Sequence, residues 1–401
     1  GFDCSMLENK LEEPLIKSGS DFREADYHEA LVLIAKRCQS IGAKYGKDAI
    51  GVAVSDRYTN EEAFAIKKMA ETMGAKIFSM NNRASGIADV LGFDASPNTI
   101  DELLSTNMIL AVGFNTTDNP VIELKMKQAA EAGAKVVLVN PEDYVQHIDF
   151  LNKAVYTKND LSFLKEVAKA VVDSGRGAGV DGYEEFAASV KDVTVSDDAK
   201  AVADMYLEAK KAMIVFNQNL ITTEAASLLA DIALVSGHIG TPRDGILQVK
   251  AKNNSQGLVD LGITAGAEEL EGVKALVVFG EEADIDTDAL EFLAVSDTHM
   301  TALAAKADVV IPGTGFASTD GTYTNTERRL QLVQAAIEED VELANWEIAA
   351  EIAHVFEVDY EWENTEDISV AMNDEVPAYK YAVVDEVLGG VLKPADDARL
   401  A

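Results

Sequence analysis

The sequence predicts an α/β protein built on parallel sheets, and three observations carry that expectation. Short apolar runs alternate with longer amphipathic stretches along most of the chain. Strand, helix and strand follow one another at the spacing of a crossover connection, which joins parallel neighbours. The strands also end in polar or glycine-containing exits, Gly280–Glu281, Ser296–Asp297–Thr298 and Pro312–Gly313, which puts polar loops at the carboxyl ends of a parallel sheet.

The elements follow in order. After Asp26, the residues Ala30, Leu31, Ile34 and Ala35 recur at helical spacing. AIGVAVS (49–55) reads as a strand and TNEEAFAIKKMAETMG as the next helix, with Thr59 and Glu62 spaced as a capping box and Gly74 closing it. AKIFSM is a second strand. A new series begins with NMILAVGFN (107–115), a helix with Pro120 in its first turn and Gly133 past its end, and the strand AKVVLVNP. AMIVFNQN (212–219) and the helix TEAASLLADIALVSG extend it. DSGRGAGVDG (173–182) is glycine-rich, yet no strand feeds it, so it reads as a linker rather than a phosphate loop. KALVVFGEEAD, FLAVSDTHMT and ADVVIPG are three further strands.

At 401 residues the chain has room for two or three domains. Asp and Glu number 69 against 34 Lys and Arg, a formal charge of −35, which disfavours nucleic acid and anionic lipid as partners. The acidity is densest from Ile337 onward, a pattern expected of a solvated helix face. No apolar run approaches the ~20 residues of a membrane helix. The opening GFDCSMLENKLEEPL has no basic region before an apolar one, which argues against a secretory signal, and its abrupt start is equally that of a cut edge. Cys4 and Cys38 are the only cysteines and the five His are scattered, so no iron–sulfur or tetrahedral zinc set is spelled out. A reduced, cytoplasmic chain with structural cysteines and no bound metal is expected.

The stretch KADVVIPGTGFASTDGTYTNTERRLQ (306–331) runs from a buried strand into a loop with Gly313, Gly315 and Gly321, then Thr322, Thr324, Asn325, Thr326 and the pair Arg328–Arg329. From the residues alone it is as much a surface loop with a salt-bridging arginine pair as a ligand site. The same stretch resembles the ADVVLP…DGT[FY]TN.E.R.Q signature of molybdopterin oxidoreductases, the family of formate dehydrogenases, nitrate reductases and the large iron–sulfur subunit of NADH dehydrogenase. GHIGTPRDGILQVKAKNNSQGLVDLG (237–262) is similar to the family's TG.IG.PG.G…RG.NN.QG..DMG, and GFNTTDNPVIELKMKQAAEAGAKVVLVNP to its G.NP.E.HPV…K.A...GAK.IV.DPR. The resemblance covers residues 1 to about 370. It implies two doubly wound, Rossmann-like domains, one inserted in the other: residues 1–80 plus 251–370, with 81–250 inserted and 371–401 as a tail.

The resemblance also implies where the chemistry lies. In catalytic relatives a cysteine or selenocysteine followed by His holds molybdenum, and the matching segment, KIFSMNNRASGIADVLGFDASPNTIDEL, has neither Cys nor His; Ser79 or Ser85 could bind a metal through oxygen, but two ordinary loop hydroxyls are the expected reading. The arginine with which formate dehydrogenases contact substrate aligns with Lys250, which keeps the charge but loses the planar fork, and the neighbouring glycine is Ala251. The family's cluster domain before residue 1 and its β-rich domain after about 370 have no counterpart in these residues. The expectation is therefore a region with no catalytic or metal-binding residue and no cofactor of its own. It would act as a scaffold in a redox complex of the NADH dehydrogenase large-subunit type, beside iron–sulfur domains and other subunits, with no nucleic acid or membrane insertion. The rival expectation is part of a formate dehydrogenase-type enzyme, with Asn115, Lys250, Asn253, Asn254, Gln256, Gly280, Asp297 and Thr298 lining a crevice between the sheets that binds molybdopterin guanine dinucleotide. A stand-alone nucleotide-binding module is a third.

Overall fold

The computed structural model describes residues 9–80, 84–280, 284–338, 341–380, 382–388 and 400. In chain order its strands are β1 (Leu15–Ser18), β2 (Asp21–Glu24), β3 (Ile50–Val54), β4 (Lys76–Phe78), β5 (Met108–Val112), β6 (Lys135–Pro141), β7 (Lys153–Thr157), β8 (Ala212–Asn217), β9 (Gly245–Val249), β10 (Ala275–Phe279), β11 (Phe292–Asp297), β12 (Val309–Pro312), β13 (Gly321–Thr324) and β14 (Leu330–Val333). The described residues fall into two compact units. One takes those within Gly1–Arg83, Lys252–Asn325 and Arg329–Leu388, the other those within Ala84–Ala251, Thr326–Arg328 and Gly389–Ala401.

The first unit is organised on a seven-stranded sheet in the order β2-β1-β12-β11-β10-β3-β4. The five strands from β12 to β4 are parallel, and the β1–β2 hairpin adds antiparallel to β12. Strand β3 is buried at every position, as a central strand covered on both faces must be. Helix Tyr27–Tyr45 starts where Asp26 accepts a hydrogen bond from the Glu29 amide at 2.7 Å, and buries Ala30, Leu31, Ile34, Ala35, Cys38 and Ile41. Helix Asn60–Met73 opens with the expected capping box: Thr59 Oγ1 accepts from the Glu62 amide at 3.2 Å, and Glu62 accepts from the Thr59 amide at 2.8 Å. Gly74 then ends it in the left-handed conformation. Phe64, Ile66, Met69 and Met73 are fully buried, each worth about 1.5–3 kcal/mol of transfer free energy.

The second unit holds a five-stranded, all-parallel sheet in the order β7-β6-β5-β8-β9. Separate apolar clusters line its two faces, one around helices Asp160–Asp173, Asp197–Glu208 and Thr223–Ser236, the other around helix Pro120–Glu131. Residues 174–182 form turns between helices Asp160–Asp173 and Tyr183–Val190. Both sheets are of the parallel, doubly wound kind read from the sequence.

Residues 371–380 and 382–388, expected as part of a tail, belong to the first unit. Helix Thr365–Glu375 packs on the first unit and Met372, Val376, Tyr379 and Leu388 are buried in its core. Apolar residues there, spaced too irregularly for a periodic reading, find their partners only on the folded unit. Cys38 is buried, and desolvation pushes its thiol up to about 12; Cys4 lies outside the described residues. Among the described residues no helix is long and apolar enough to cross a membrane.

Candidate functional site

In the first unit, β3 and β4 run to one side and β10, β11 and β12 to the other, so the strand order reverses between β3 and β10. Open sheets take ligands outside the carboxyl ends of their strands at such a reversal. A cavity of ≈ 470 Å³ lies there, lined by the exits of four parallel strands: Arg57 and Tyr58 after β3, Gly280 after β10, Asp297 at the end of β11 with Thr298 and His299 after it, and Thr314, Gly315 and Phe316 after β12. Glu62, Thr319, Tyr323 and Asn345 complete the wall. Gly280 has φ +62, and a Cβ there would stand 2.7 Å from the Tyr58 ring, so glycine is what lets that ring close on the β10 exit. The Asp297 carboxylate is oriented by the Thr298 amide at 2.7 Å.

Behind this cavity is a buried polar framework that no sequence pattern spelled out. Glu61 accepts from the Thr322 amide (2.7 Å), Thr322 Oγ1 (2.9 Å) and Ser369 Oγ (2.7 Å). Glu62 accepts from Asn345 Nδ2 at 2.7 Å besides its capping bond. Desolvation raises both carboxyls above the ordinary range, and these hydrogen bonds oppose the rise. Burial, with the charge of Glu62 beside it, likewise pushes the Tyr323 hydroxyl up to about 12. Asn60 Nδ2 donates to Thr322 Oγ1 (3.0 Å) and Thr324 Oγ1 (3.1 Å), while its Oδ1 accepts from Tyr379 Oη at 3.0 Å. Asn254 completes the clasp, accepting from the Thr324 amide and donating to Tyr58 O, both at 2.8 Å. A Cβ on Gly257 would lie 2.1 Å from the side-chain oxygens of both Asn254 and Asn60, which explains the glycine of NNSQG.

The second unit has its own reversal, between β5 and β8. Asn115, past β5, makes a local turn: Nδ2 donates to Asp118 at 2.6 Å and Oδ1 accepts from the Thr117 amide at 2.9 Å. Lys250, past β9, is enclosed, with its side chain 1% exposed. Its Nζ donates to Gln218 Oε1 at 2.9 Å and stands 3.6 Å from Asp94 Oδ1, and Asp94 accepts from both the amide and the hydroxyl of Ser85 at 2.7 Å. The Gln248 amide lies 3.1 Å from both Asp94 Oδ1 and Lys250 Nζ. Lys250 is thus one half of a buried ion pair inside its own unit.

With this geometry in place, comparison with known proteins decides the family. The molybdopterin oxidoreductase family model matches residues 10–355, most of the chain. The chain belongs to the molybdopterin oxidoreductase family. It is 23% identical to the probable oxidoreductase YjgC of Bacillus subtilis, over 97% of this chain and 48% of that protein. It is 26% identical to the F420-dependent formate dehydrogenase 2 subunit alpha of Methanococcus maripaludis, over 86% of this chain and 62% of that one. Formate dehydrogenase H of Escherichia coli is 24% identical over 98% of this chain and 67% of its own length. The chain therefore spans about half to two thirds of these relatives. Among solved structures, acetylene hydratase from Pelobacter acetylenicus shares the fold with a TM-score of 0.70 at 13% identity, covering 98% of this chain and 69% of that one. A chain of the formyltransferase/hydrolase complex of Methylorubrum extorquens matches with a TM-score of 0.58 at 15% identity, over 86% of this chain and 98% of that one.

The eight residues proposed from the sequence divide accordingly. Gly280, Asp297 and Thr298 come together on the cavity wall. Asn253 is exposed and donates to Arg57 O at 3.2 Å. Asn254 and Gln256 are buried in the protein's own hydrogen bonds, Gln256 with Asp260 at 3.1 Å. Asn115 and Lys250 belong to the second unit. Sequence reasoning did not reach Tyr58, Glu62, Tyr323 and Asn345; the Thr59–Glu62 capping box pointed at one of them, but as a helix start only. Within DGTYTN, the Thr322 amide and hydroxyl donate to Glu61, the Thr324 amide donates to Asn254, and both threonine hydroxyls accept from Asn60, so the two threonines of the most family-like stretch serve as a structural clasp. Its continuation also bonds in the second unit, where Thr326 Oγ1 donates to Gln248 O at 2.7 Å and Glu327 accepts from the Ile100 amide at 2.6 Å.

The family implies a molybdopterin cofactor, and the residues fit it unevenly. The first-unit cavity, within the 300–1,000 Å³ of small-molecule sites, offers a carboxylate, an arginine and a hydroxyl suited to a purine and its phosphate. At the metal end, Ser85 Oγ donates to Asp94 at 2.7 Å, and among the described residues Ser79 Oγ, buried past the end of β4, has no hydrogen-bond partner and no group of three or more His, Cys, Asp or Glu is placed to hold a metal.

Proposed function

We propose that this chain is a non-catalytic region of a redox-complex subunit of the NADH dehydrogenase large-subunit type. It keeps the family's architecture as a scaffold while iron–sulfur domains or subunits carry the electrons. The observation that supports this most is Lys250. The position that resembles the substrate-contacting arginine of formate dehydrogenases holds an ammonium that is buried and neutralised by Asp94, so it does not offer its charge to a carboxylate. The absence of Cys and His from residues 76–104 points the same way. Relatives named as formate dehydrogenase alpha subunits support partnership within a redox complex, and we place that complex in the cytoplasm. The test is metal analysis, with pterin fluorescence after acid oxidation, on protein purified from cells supplied with molybdate. Sub-stoichiometric molybdenum and tungsten is the expected result; one metal with pterin per chain would overturn the proposal.

The first-unit cavity favours a second reading, in which the chain binds the nucleotide end of a pterin guanine dinucleotide. Asp297 would accept hydrogen bonds from the guanine amino and imino groups, with Thr298 and Arg57 toward ribose and phosphate. When bound, such a group supplies a dithiolene for molybdenum or tungsten. Titration with GMP and AMP separates the readings: selective GMP binding that Asp297→Asn abolishes supports the second, and equal or absent binding removes it.

A further inference from the structure

The acidic stretch past residue 337 contains fourteen Asp and Glu and no Lys or Arg up to residue 375. The fold does not leave it as a plain solvated face. Helix Asn345–Val355 presents Trp346, Ala350 and His354 at four-residue intervals, with Glu347 and Glu351 beside them, along one side of a groove of ≈ 190 Å³. Asp359, Tyr360 and Trp362 form the other wall and Leu343 completes the lining. Tyr360 and Trp362 stack with centroids 4.3 Å apart and planes within 5°. The pair is held from behind: Tyr360 Oη donates to Lys68 O at 3.0 Å and meets Thr72 Oγ1 at 2.9 Å, and Trp362 packs on Phe64. His354 hydrogen-bonds Asp359, and that bond, with the charges of Asp359 and Glu351, raises its pKa.

We propose that this groove is a docking site for a partner protein that inserts an arginine or lysine side chain from a basic amphipathic segment. Its volume is below the range of small-molecule sites and suits a single side chain. Indole and phenol faces attract a cation whose aliphatic stem lies along them, and Glu347, Glu351 and Asp359 supply the opposite charge at the rim. Lys68, the cation on the adjoining helix, is already paired with Glu71 and Glu375 and lies over the Phe64 ring. The proposal does not depend on whether the chain holds a cofactor.

The chain's two tryptophans are Trp346 and Trp362, so its tryptophan emission reports on this groove alone. The probe is an amphipathic helical peptide free of Trp and Tyr with arginines on one face, titrated into the full chain beside the same peptide with citrulline for arginine. The expected result is a saturable emission change for the arginine peptide, at least tenfold weaker for the citrulline peptide and at least tenfold weaker in 0.5 M than in 0.05 M NaCl. The double variant Glu351→Lys/Asp359→Lys also weakens it at least tenfold. That variant only takes the formal charge from −35 to −31, each substitution adding two, so general attraction to an acidic protein does not account for such a loss. The proposal is overturned by no saturable change, by equal binding of the citrulline peptide, by an unaffected double variant, or by an emission change that follows protein concentration without peptide, which would mark a second copy as the occupant.

Discussion

Neutralising Asp94 isolates the consequence of burying Lys250. Asp94→Asn keeps the shape and an acceptor for Ser85 but leaves an ammonium, 1% exposed, without the carboxylate that neutralises it. Breaking one half of a buried pair in this way costs about 3–5 kcal/mol, because the remaining charge has lost both water and counter-charge. For a unit of this size a loss of that order lowers the midpoint of its thermal transition by ~6–20 °C, at ~2–4 °C per kcal/mol. Adding Lys250→Met removes the stranded charge, and the double variant recovers most of the loss. The assay is a double-mutant cycle by thermal and urea denaturation, with the two units' transitions followed separately. If Asp94→Asn costs under ~1 kcal/mol, the value of an exposed ion pair, Lys250 is solvated and available to an anion, and the argument for a non-catalytic region fails.

Other expectations follow from the same geometry. Asn60→Ala leaves the hydroxyls of Thr322, Thr324 and Tyr379 without their shared partner in a dry interior, so the first unit loses about 1–3 kcal/mol, read by urea denaturation. Gly257→Ala is as damaging, about 1–3 kcal/mol, because its Cβ would meet two amide oxygens at 2.1 Å; a cost near zero would mean the clasp gives way freely. Glu61 and Glu62 have folded pKa values raised above 4.5 by desolvation. The folded state therefore holds more protons than the unfolded one, and their contribution to stability falls as pH rises from about 4.5 to the raised values. Glu61→Gln should flatten the stability–pH slope in that window, and an unchanged slope would mean Glu61 titrates normally. Cys38, with its thiol pushed up to about 12, should resist iodoacetamide in the native protein and react once it is unfolded, read peptide by peptide.

Where local chemistry alone decides an element, the sequence was enough. Asp26, the Thr59–Glu62 box, Pro120 and Gly74 mark helix ends through bonds made within a few residues, and β3, β5, β8, β10, β11 and β12 are apolar runs that need no partner to be recognised. The hairpins β1–β2 and β13–β14 and strand β7 were missed, and the stretch from Ile337 was read only as a solvated helix face without its buried side, because short or irregular segments acquire their structure from what they pack against. The site divides in the same way. Gly280, Asp297 and Thr298 were legible as polar residues at strand exits, since the carboxyl edge of a parallel sheet follows from the order of elements. Glu62 and Asn345 were not: they are 283 residues apart, and only the fold brings them to one wall.

The sequence by itself determined the fold class and the family, because both rest on periodicity and on ordered motifs that survive reading in one dimension. Only the tertiary structure decided which polar residues remain open to a ligand. Thr322, Thr324, Asn254 and Lys250 read as binding groups along the chain, yet their hydrogen bonds and charge are taken up by Glu61, Asn60, Tyr58 and Asp94. A donor's availability depends on what burial places within about 3 Å of it, and that is a property of packing rather than of residue type.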